Sequence, residues 1–263
     1  MIIDFHVHCF PDEIAPRAMK ALSEPTGMEH FTDGTRSGVL ASMDRAGIDI
    51  SVVQNIATKP SQSAKINSWA IAENSARIMH FGSIHTGNSD FEDQIDLLAG
   101  SGIRGIKLHP DYQGFFADDR RMYPVYELLR AKGMILVLHS GQDPEFPDCI
   151  HCPPDRLLNV LKDFPGLKLV AAHMGGHRLW DEVYDRLLGR DFYIDTSASY
   201  DILGSRGMAK MIRKHGADKV LFATDSPWAD QKAESESIAS LPIPADDIDK
   251  IMQGNAASLL GIA

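Results

Sequence analysis

Two histidines near the start of the chain, His6 and His8, have the spacing of metal ligands. They lie in an apolar, β-prone run at 2–8. Side chains two residues apart on a strand project from the same face, about 7 Å apart along the strand. Two imidazoles in this arrangement can bind one divalent ion. The run therefore predicts half of a metal site.

Three further residues that can bind metal, His139, His173 and Asp225, each end a later apolar run. Histidines together with one carboxylate are typical ligands of catalytic zinc and related ions. The predicted ligands of one divalent cation are His6, His8, His139 and Asp225. Asp225 is also predicted to move a proton. His173 is predicted to lie beside the ion, as a further ligand or as the group that polarises a substrate carbonyl.

A catalytic ion keeps one coordination position open for water and lowers the pKa of that water to about 7. Hydroxide is then available at neutral pH to attack a carbonyl carbon. Zn²⁺ is the predicted ion, and Mn²⁺ is an alternative.

Four other residues are candidates for contact with the substrate: Lys107, His109, His85 and Trp228. A lysine within an apolar run is costly to bury unless it is paired. Lys107 could therefore bind a substrate carboxylate, bridge two metal ions or pair with an acid. His109 and His85 end β-prone runs, where they could line the pocket. Trp228 could form part of an aromatic wall or pack loops together.

The segment Cys149-Ile150-His151-Cys152 resembles half of a structural zinc site. Such a site needs four ligands, and the sequence has no second pair. We therefore predict a loop and a helix start at this position. An odd, low number of cysteines argues against a disulfide framework and favours a reducing, cytoplasmic environment.

Eight β-prone runs alternate with helical patterns along the chain. Strands are predicted at 2–8, 50–56, 78–85, 103–109, 134–139, 167–173, 192–196 and 219–225. Helices are predicted at 64–76, 91–99, 123–132, 154–164, 179–188 and 204–215, and a closing helical segment at 248–262 breaks at Gly254-Asn255. Alternation indicates a parallel sheet, and eight such units can close a (β/α)₈ TIM barrel whose active residues lie at the carboxyl ends of the strands. We predict one domain over 1–263.

The composition narrows the classes of partner. The chain of 263 residues has a net charge of -10 and no Lys/Arg-rich run. The negative charge and the lack of a basic run argue against nucleic acids and anionic membranes as binding partners. No signal-peptide pattern and no apolar stretch of bilayer length is present. We expect a cytoplasmic protein that acts on a small molecule.

Six motifs in this order and spacing resemble the amidohydrolase superfamily, and within it the amidohydrolase-related group that includes the aminocarboxymuconate-semialdehyde decarboxylases. They are IDFHVH at 3–8, GIKLHP at 105–110, LHSG at 138–141, AHMGG at 172–176, ATDSP at 223–227 and GNAA at 254–257. The resemblance implies that His6, His8, His139 and Asp225 are ligands, and that His173 is catalytic or a ligand. It also favours one metal ion over two, with Lys107 as the residue that a second ion would involve. A homodimer is a prediction from the family alone.

Three functions remain open from the sequence. The leading hypothesis is a metal-dependent hydrolase that acts on an amide, a lactone or a related carbonyl bond. The alternative is a non-hydrolytic, metal-dependent decarboxylase on the same site. The compact chain favours hydrolysis, because the decarboxylases of this group are usually longer. A catalytically silent barrel is the third hypothesis, and the complete ligand set argues against it.

Overall fold

The computed structural model describes residues 1–262, and all eight predicted strands are present. They are β1 (Ile3–Val7), β2 (Ile50–Gln54), β3 (Ile78–Phe81), β4 (Gly105–Leu108), β5 (Ile135–Leu138), β6 (Lys168–Ala171), β7 (Tyr193–Asp195) and β8 (Val220–Leu221). All eight end before their predicted carboxyl ends. His139 directly follows β5, and His173 lies two residues after β6, where its positive φ of 60° turns the chain away from an extended path.

Twelve α-helices lie within the described residues. They are α1 (Ala15–Thr26), α2 (Arg36–Ala46), α3 (Ser63–Glu73), α4 (Phe91–Gly100), α5 (Pro110–Gln113), α6 (Tyr123–Lys132), α7 (Pro154–Asp163), α8 (Trp180–Arg186), α9 (Tyr200–His215), α10 (Gln231–Ala239), α11 (Ala245–Asp249) and α12 (Asn255–Leu260). The six predicted helices are confirmed as α3, α4, α6, α7, α8 and α9. No helix within residues 1–262 has the length and apolar composition needed to cross a bilayer.

Helices α1, α2 and α10 were not expected from the sequence pattern. Helix α1 contains Pro25 in its interior, which obscures a helical pattern. Helix α2 begins after Thr35, whose side chain accepts a hydrogen bond from the backbone N–H of Gly38. A threonine at this position satisfies an amide that the helix itself leaves unpaired.

The described chain falls into two compact units. The first comprises residues 1–53, 76–78 and 195–262, and the second comprises 54–75 and 79–194. The organisation as one domain stays a prediction.

In the first unit, strand β1 lies between β2 and the segment around β8. Ile3 pairs with Ile50 in a parallel ladder. On the other side the N–H of Phe5 donates to the carbonyl of Phe222, and the N–H of Asp225 donates to the carbonyl of His6. Every residue of β1 is buried, as expected for a strand of a parallel sheet with both faces covered. These bonds bring the carboxyl end of β1 beside Asp225.

In the second unit, strands β4, β5 and β6 follow one another in a parallel arrangement, and Tyr193 and Ile194 of β7 pair with β6. Leu108 is in register with Leu138, and Leu138 is in register with Ala171. Residues that directly follow these positions must therefore emerge at the same edge of the sheet. His109 and His139 are such residues.

The predicted break at Gly254-Asn255 is wrong. Gly254 and Asn255 both have helical backbone angles, and a π-helical turn, Lys250–Gly254, continues directly into α12. Asn255 is buried, and its Nδ2 donates to the carbonyl oxygens of Ala217 and Val220, both at 2.7 Å. The asparagine of the GNAA motif thus anchors the closing helix to the start of β8.

We predict that Asn255→Ala lowers the free energy of unfolding by about 2 kcal/mol, because two buried carbonyl groups lose their donor. Urea unfolding of the variant and the wild type measures this difference. The exposed Ser258 lies on the same helix, so Ser258→Ala serves as the matched control with little change. Equal stability of Asn255→Ala and the control would contradict the anchoring role.

Candidate metal and catalytic site

Three of the four predicted ligands come together in the first unit. The candidate ligand atoms of His6, His8 and Asp225 all lie within 4.8 Å of one another. Nε2 of His8 is 3.2 Å from Oδ1 of Asp225, and Nε2 of His6 is 3.5 Å from the same oxygen. Two imidazole nitrogens and a carboxylate oxygen around one point form a donor set that suits Zn²⁺ or Mn²⁺.

The carboxylate of Asp195 holds the ring of His6 from its other side. Oδ2 of Asp195 is 2.9 Å from Nδ1 of His6, and both side chains are fully buried. The hydroxyl of Ser197 donates to Oδ1 of the same carboxylate at 2.5 Å. A proton on Nδ1 leaves the lone pair of Nε2 directed toward Asp225. A carboxylate behind a histidine is the usual support of a metal-binding imidazole, which strengthens the fit of this group to a metal.

Asp4 ties β1 to the segment that carries Asp225. Its carboxylate accepts hydrogen bonds from the N–H and the hydroxyl of Thr224 at 3.0 and 2.7 Å, and from Nε2 of Gln231 at 2.8 Å. Burial raises the pKa of Asp4 to about 7, although these hydrogen bonds oppose the shift. The network fixes the residue directly before Asp225.

A second buried acid, Glu234 on α10, lies close enough to interact with Asp4 electrostatically. Burial, and then the negative charges of Asp201 and Asp4, raise the pKa of Glu234 to about 8. Its Oε2 is buried without a hydrogen-bond partner among the described residues. The folded state therefore favours the protonated form of this side chain.

A second group of possible ligands lies in the second unit. Ligand atoms of His109, His139 and Asp143 are within 4.8 Å of one another, and all three residues are buried. The rings of His109 and His139 are stacked, with centroids 4.0 Å apart. Oδ2 of Asp143 is 3.4 Å from Nε2 of His109 and 3.9 Å from Nε2 of His139.

Burial keeps the histidines of this group neutral. It lowers the pKa of His139 well below its usual value, and nearby His109 and His173 act in the same direction. Burial also lowers the pKa of His109, against the effect of Asp143. Neutral imidazoles keep a lone pair for a cation or a proton.

Two buried polar atoms beside this group have no hydrogen-bond partner among residues 1–262. They are Nε2 of His139 and Oδ2 of Asp111, which lie 3.9 Å apart. Nδ1 of His139 is within 3.0 Å of Nε2 of His173, so one ring nitrogen is used and the other is open. An open nitrogen and an open carboxylate oxygen fit a bound cation or a polar substrate atom.

The assignments of His139 as the fourth ligand of the first group and of His173 as a catalytic group stay predictions. Lys107 is buried within β4, and its charge contributes to the lowered pKa of His109. Nδ1 of His85 accepts a hydrogen bond from the N–H of Gly87 in a local turn. The N–H of Trp228 donates to the carbonyl of Asp225.

Sequence reasoning missed three carboxylates, which are those of Asp111, Asp143 and Asp195. Asp195 ends β7 as the predicted ligands end their runs, so the same pattern could have identified it. Asp111 and Asp143 lie in segments after β4 and β5, and no spacing in the sequence marks them.

The prediction of a loop and helix start around Cys149–Cys152 is confirmed, because this segment precedes α7 and none of the three cysteines forms a disulfide.

We predict that Asp195→Asn lowers the affinity for Zn²⁺ or Mn²⁺ by about 10- to 100-fold, because His6 loses the carboxylate that orients it and increases its basicity. Competition with a chromophoric chelator measures the affinity. Asp249→Asn, at an exposed position of the same unit, is the matched control and should bind as the wild type does. If Asp195→Asn bound the metal with unchanged affinity, His6 would not belong to the metal site.

We predict that Glu234→Gln stabilises the protein at pH 9 and leaves its stability unchanged at pH 4. A carboxyl with a raised pKa gives the folded state an advantage that is complete below the unfolded value near 4.5 and is lost as the pH rises through about 8. The uncharged amide removes this loss, which is worth about 2–4 kcal/mol. Urea unfolding at both pH values provides the measurement, with the exposed Glu236→Gln of the same helix as control. A pH-independent difference would contradict the shifted pKa.

Comparisons with known proteins identify the family and the fold of the chain. The family model described as Amidohydrolase matches residues 3–262. No curated protein matches the sequence.

Solved structures match over nearly their entire lengths. A TIM-barrel protein from Bordetella bronchiseptica is 23% identical, with 99% of this chain and 98% of that chain covered and a TM-score of 0.73. The 5-carboxyvanillate decarboxylase of Sphingomonas paucimobilis is 18% identical, with coverage of 100% and 99% and a TM-score of 0.73. A dihydroxybenzoic acid decarboxylase from Polaromonas sp. JS666, with bound manganese and the inhibitor 2-nitroresorcinol, is 16% identical, with coverage of 99% and 97% and a TM-score of 0.73. These likenesses show the predicted α/β TIM-barrel fold, and the match of the family model shows that the chain belongs to the amidohydrolase family of enzymes.

Proposed function

We propose that this enzyme is a metal-dependent decarboxylase that releases carbon dioxide from a small carboxylic acid. The observation that carries the metal-dependent chemistry is the position of Asp225, whose Oδ1 lies next to the paired histidines at 3.2 and 3.5 Å. The names of two solved structures with the same fold, a 5-carboxyvanillate decarboxylase and a dihydroxybenzoic acid decarboxylase, supply the direction of the chemistry. This favours the alternative function over the hydrolase that the sequence placed first.

The residues of the first group have separate tasks in this proposal. A divalent ion, when bound, acts as a Lewis acid that stabilises negative charge on oxygen atoms of the substrate. His6, His8 and Asp225 would hold the ion, and Asp195 would keep His6 in the tautomer that leaves Nε2 open. Loss of carbon dioxide leaves an electron pair on carbon, so a proton must reach that atom. Asp225, which is only partly exposed, would carry this proton.

The donor set does not separate zinc from manganese. Imidazole and carboxylate ligands suit both ions, and the Polaromonas decarboxylase contains manganese. We therefore propose Mn²⁺ or Zn²⁺, with one ion at His6, His8 and Asp225.

The three cysteines without disulfides favour a reducing, cytoplasmic environment.

Hydrolysis of an amide, a lactone or a related bond is the second candidate. The amidohydrolase model matches nearly the whole chain. The same Asp225 could take a proton from water and pass it to a leaving group. The two reactions differ in the origin of the oxygen atoms in the product, which gives a direct test.

We predict carbon dioxide release from at least one hydroxylated benzoic acid, in a panel that also contains lactones and amides. In ¹⁸O-labelled water the aromatic product should gain no solvent oxygen, and in D₂O it should gain one deuterium at the carbon that lost the carboxyl group. Asp225→Asn should lower the rate by at least about 100-fold, because the amide can neither carry the proton nor supply the negative charge that helps to hold the ion. Mass spectrometry of the product and detection of released carbon dioxide provide the measurements.

Asp249→Asn is the matched control for loss of a carboxylate, and it should retain full activity. Removal of the metal by a chelator should abolish turnover, and Mn²⁺ or Zn²⁺ should restore it. Solvent oxygen in the product of a lactone or an amide would instead establish the hydrolase. Full metal occupancy without turnover of any compound in the panel would contradict both reactions.

A further inference from the structure

The segment before α7 contains a cysteine, a histidine and an aspartate in a chain of contacts that the proposed function does not use. Sγ of Cys149 lies 3.9 Å from Nε2 of His151. Nδ1 of His151 lies 2.9 Å from Oδ1 of Asp111. Asp111 is buried, His151 is partly buried and Cys149 is exposed. All three residues belong to the second unit.

The order of these contacts defines the tautomer of the histidine. Nδ1 of His151 carries a proton that it donates to Asp111, and the backbone N–H of His151 donates to the same oxygen at 3.2 Å. Nε2 then has a lone pair that can accept the thiol proton. The same relation between nucleophile, base and orienting carboxylate activates the nucleophile in cysteine and serine hydrolases.

The imidazole is held in place from its face as well as from its edge. The ring of Phe116 stacks on His151, with centroids 4.9 Å apart. The guanidinium carbon of Arg156 lies 3.9 Å from the centroid of the Phe116 ring, and the guanidinium is itself paired with Asp118. A base held by a carboxylate and a stacked ring loses little entropy when it accepts a proton.

We propose that Cys149 is a nucleophilic thiol, with His151 as its base and Asp111 as the group that orients the base, and that it is a site of covalent modification by small, soft carbon electrophiles. The probe is iodoacetamide. Sulfur forms a bond to the methylene carbon, the carbon–iodine bond breaks, and iodide leaves with the bonding electrons. The thiol proton moves to Nε2 of His151 and then to water.

The other two cysteines provide internal controls. Cys9 and Cys152 are buried, and burial raises the pKa of the Cys152 thiol to about 12. Neither should react while the protein is folded. Labelling of these two residues therefore reports unfolding in the same sample in which Cys149 is followed.

The experiment follows carbamidomethylation of each cysteine by peptide mass spectrometry near neutral pH. Cys149 of the native protein should react at least about tenfold faster than in His151→Asn, because general-base assistance is worth roughly 100-fold or more where the geometry is ideal. Asp111→Asn should slow the reaction as well, since an amide can donate to Nδ1 and so reverse the tautomer. Cys149→Ser should remove the fast-reacting label.

A measurement without any substitution complements the variants. In concentrated guanidinium chloride, Cys149 should react more slowly than in the native protein, because the three residues disperse. A thiol that is merely exposed would react as fast or faster after unfolding. The proposal is overturned if native Cys149 reacts no faster than in the unfolded chain, or no faster than in His151→Asn with Cys9 and Cys152 still protected.

Discussion

The site depends on placing imidazole and carboxylate groups at the buried ends of apolar strands. Such groups lose their hydration, and the loss is tolerable only where each has a charged or hydrogen-bonding partner. In the first unit Asp195 holds His6, and Thr224 with Gln231 holds Asp4. In the second, His139 is open at Nε2 but bonded at Nδ1. The partners thus determine which ring nitrogen stays available for chemistry.

The backbone at these positions is held in a conformation that most residues avoid. Asp225 has φ of 69°, and His173 and Met174 have φ of 60° and 54°. The left-handed region costs a residue other than glycine about 1 kcal/mol or more. It persists because contacts on both sides fix the chain. The N–H of Asp225 donates to His6, and Nε1 of Trp180 donates to the carbonyl of His173 at 3.0 Å. The left-handed backbone therefore points the side chains of Asp225 and His173 in directions that they would not have if the strands continued in an extended conformation.

The positions of the strands followed from the sequence because the signal is local. Apolar runs that end in histidine or aspartate mark both the strand and its active end, and this pattern identified His6, His8 and Asp225. It could not identify Asp143 or Asp111, whose approach to His109 and His139 depends on the path of the loops. It also missed α1 and α2, because Pro25 and a mixed composition weaken the helical period. Local periodicity specifies the scaffold, whereas the loop carboxylates depend on tertiary packing.

The same dependence on loops explains why the donor set alone leaves the reaction open. Hydrolysis and decarboxylation both develop negative charge near a cation and both need a carboxyl group that moves a proton. Asp225 meets that need in either reaction, so its geometry selects a mechanism class and not a substrate. The choice between the two reactions must therefore depend on the substrate and on whether water enters the site with it. Decarboxylation succeeds only where the carbon that loses its carboxyl group receives a proton and no water attacks. A wall of apolar and aromatic side chains around that carbon favours this outcome, because it keeps water away from the reacting atoms.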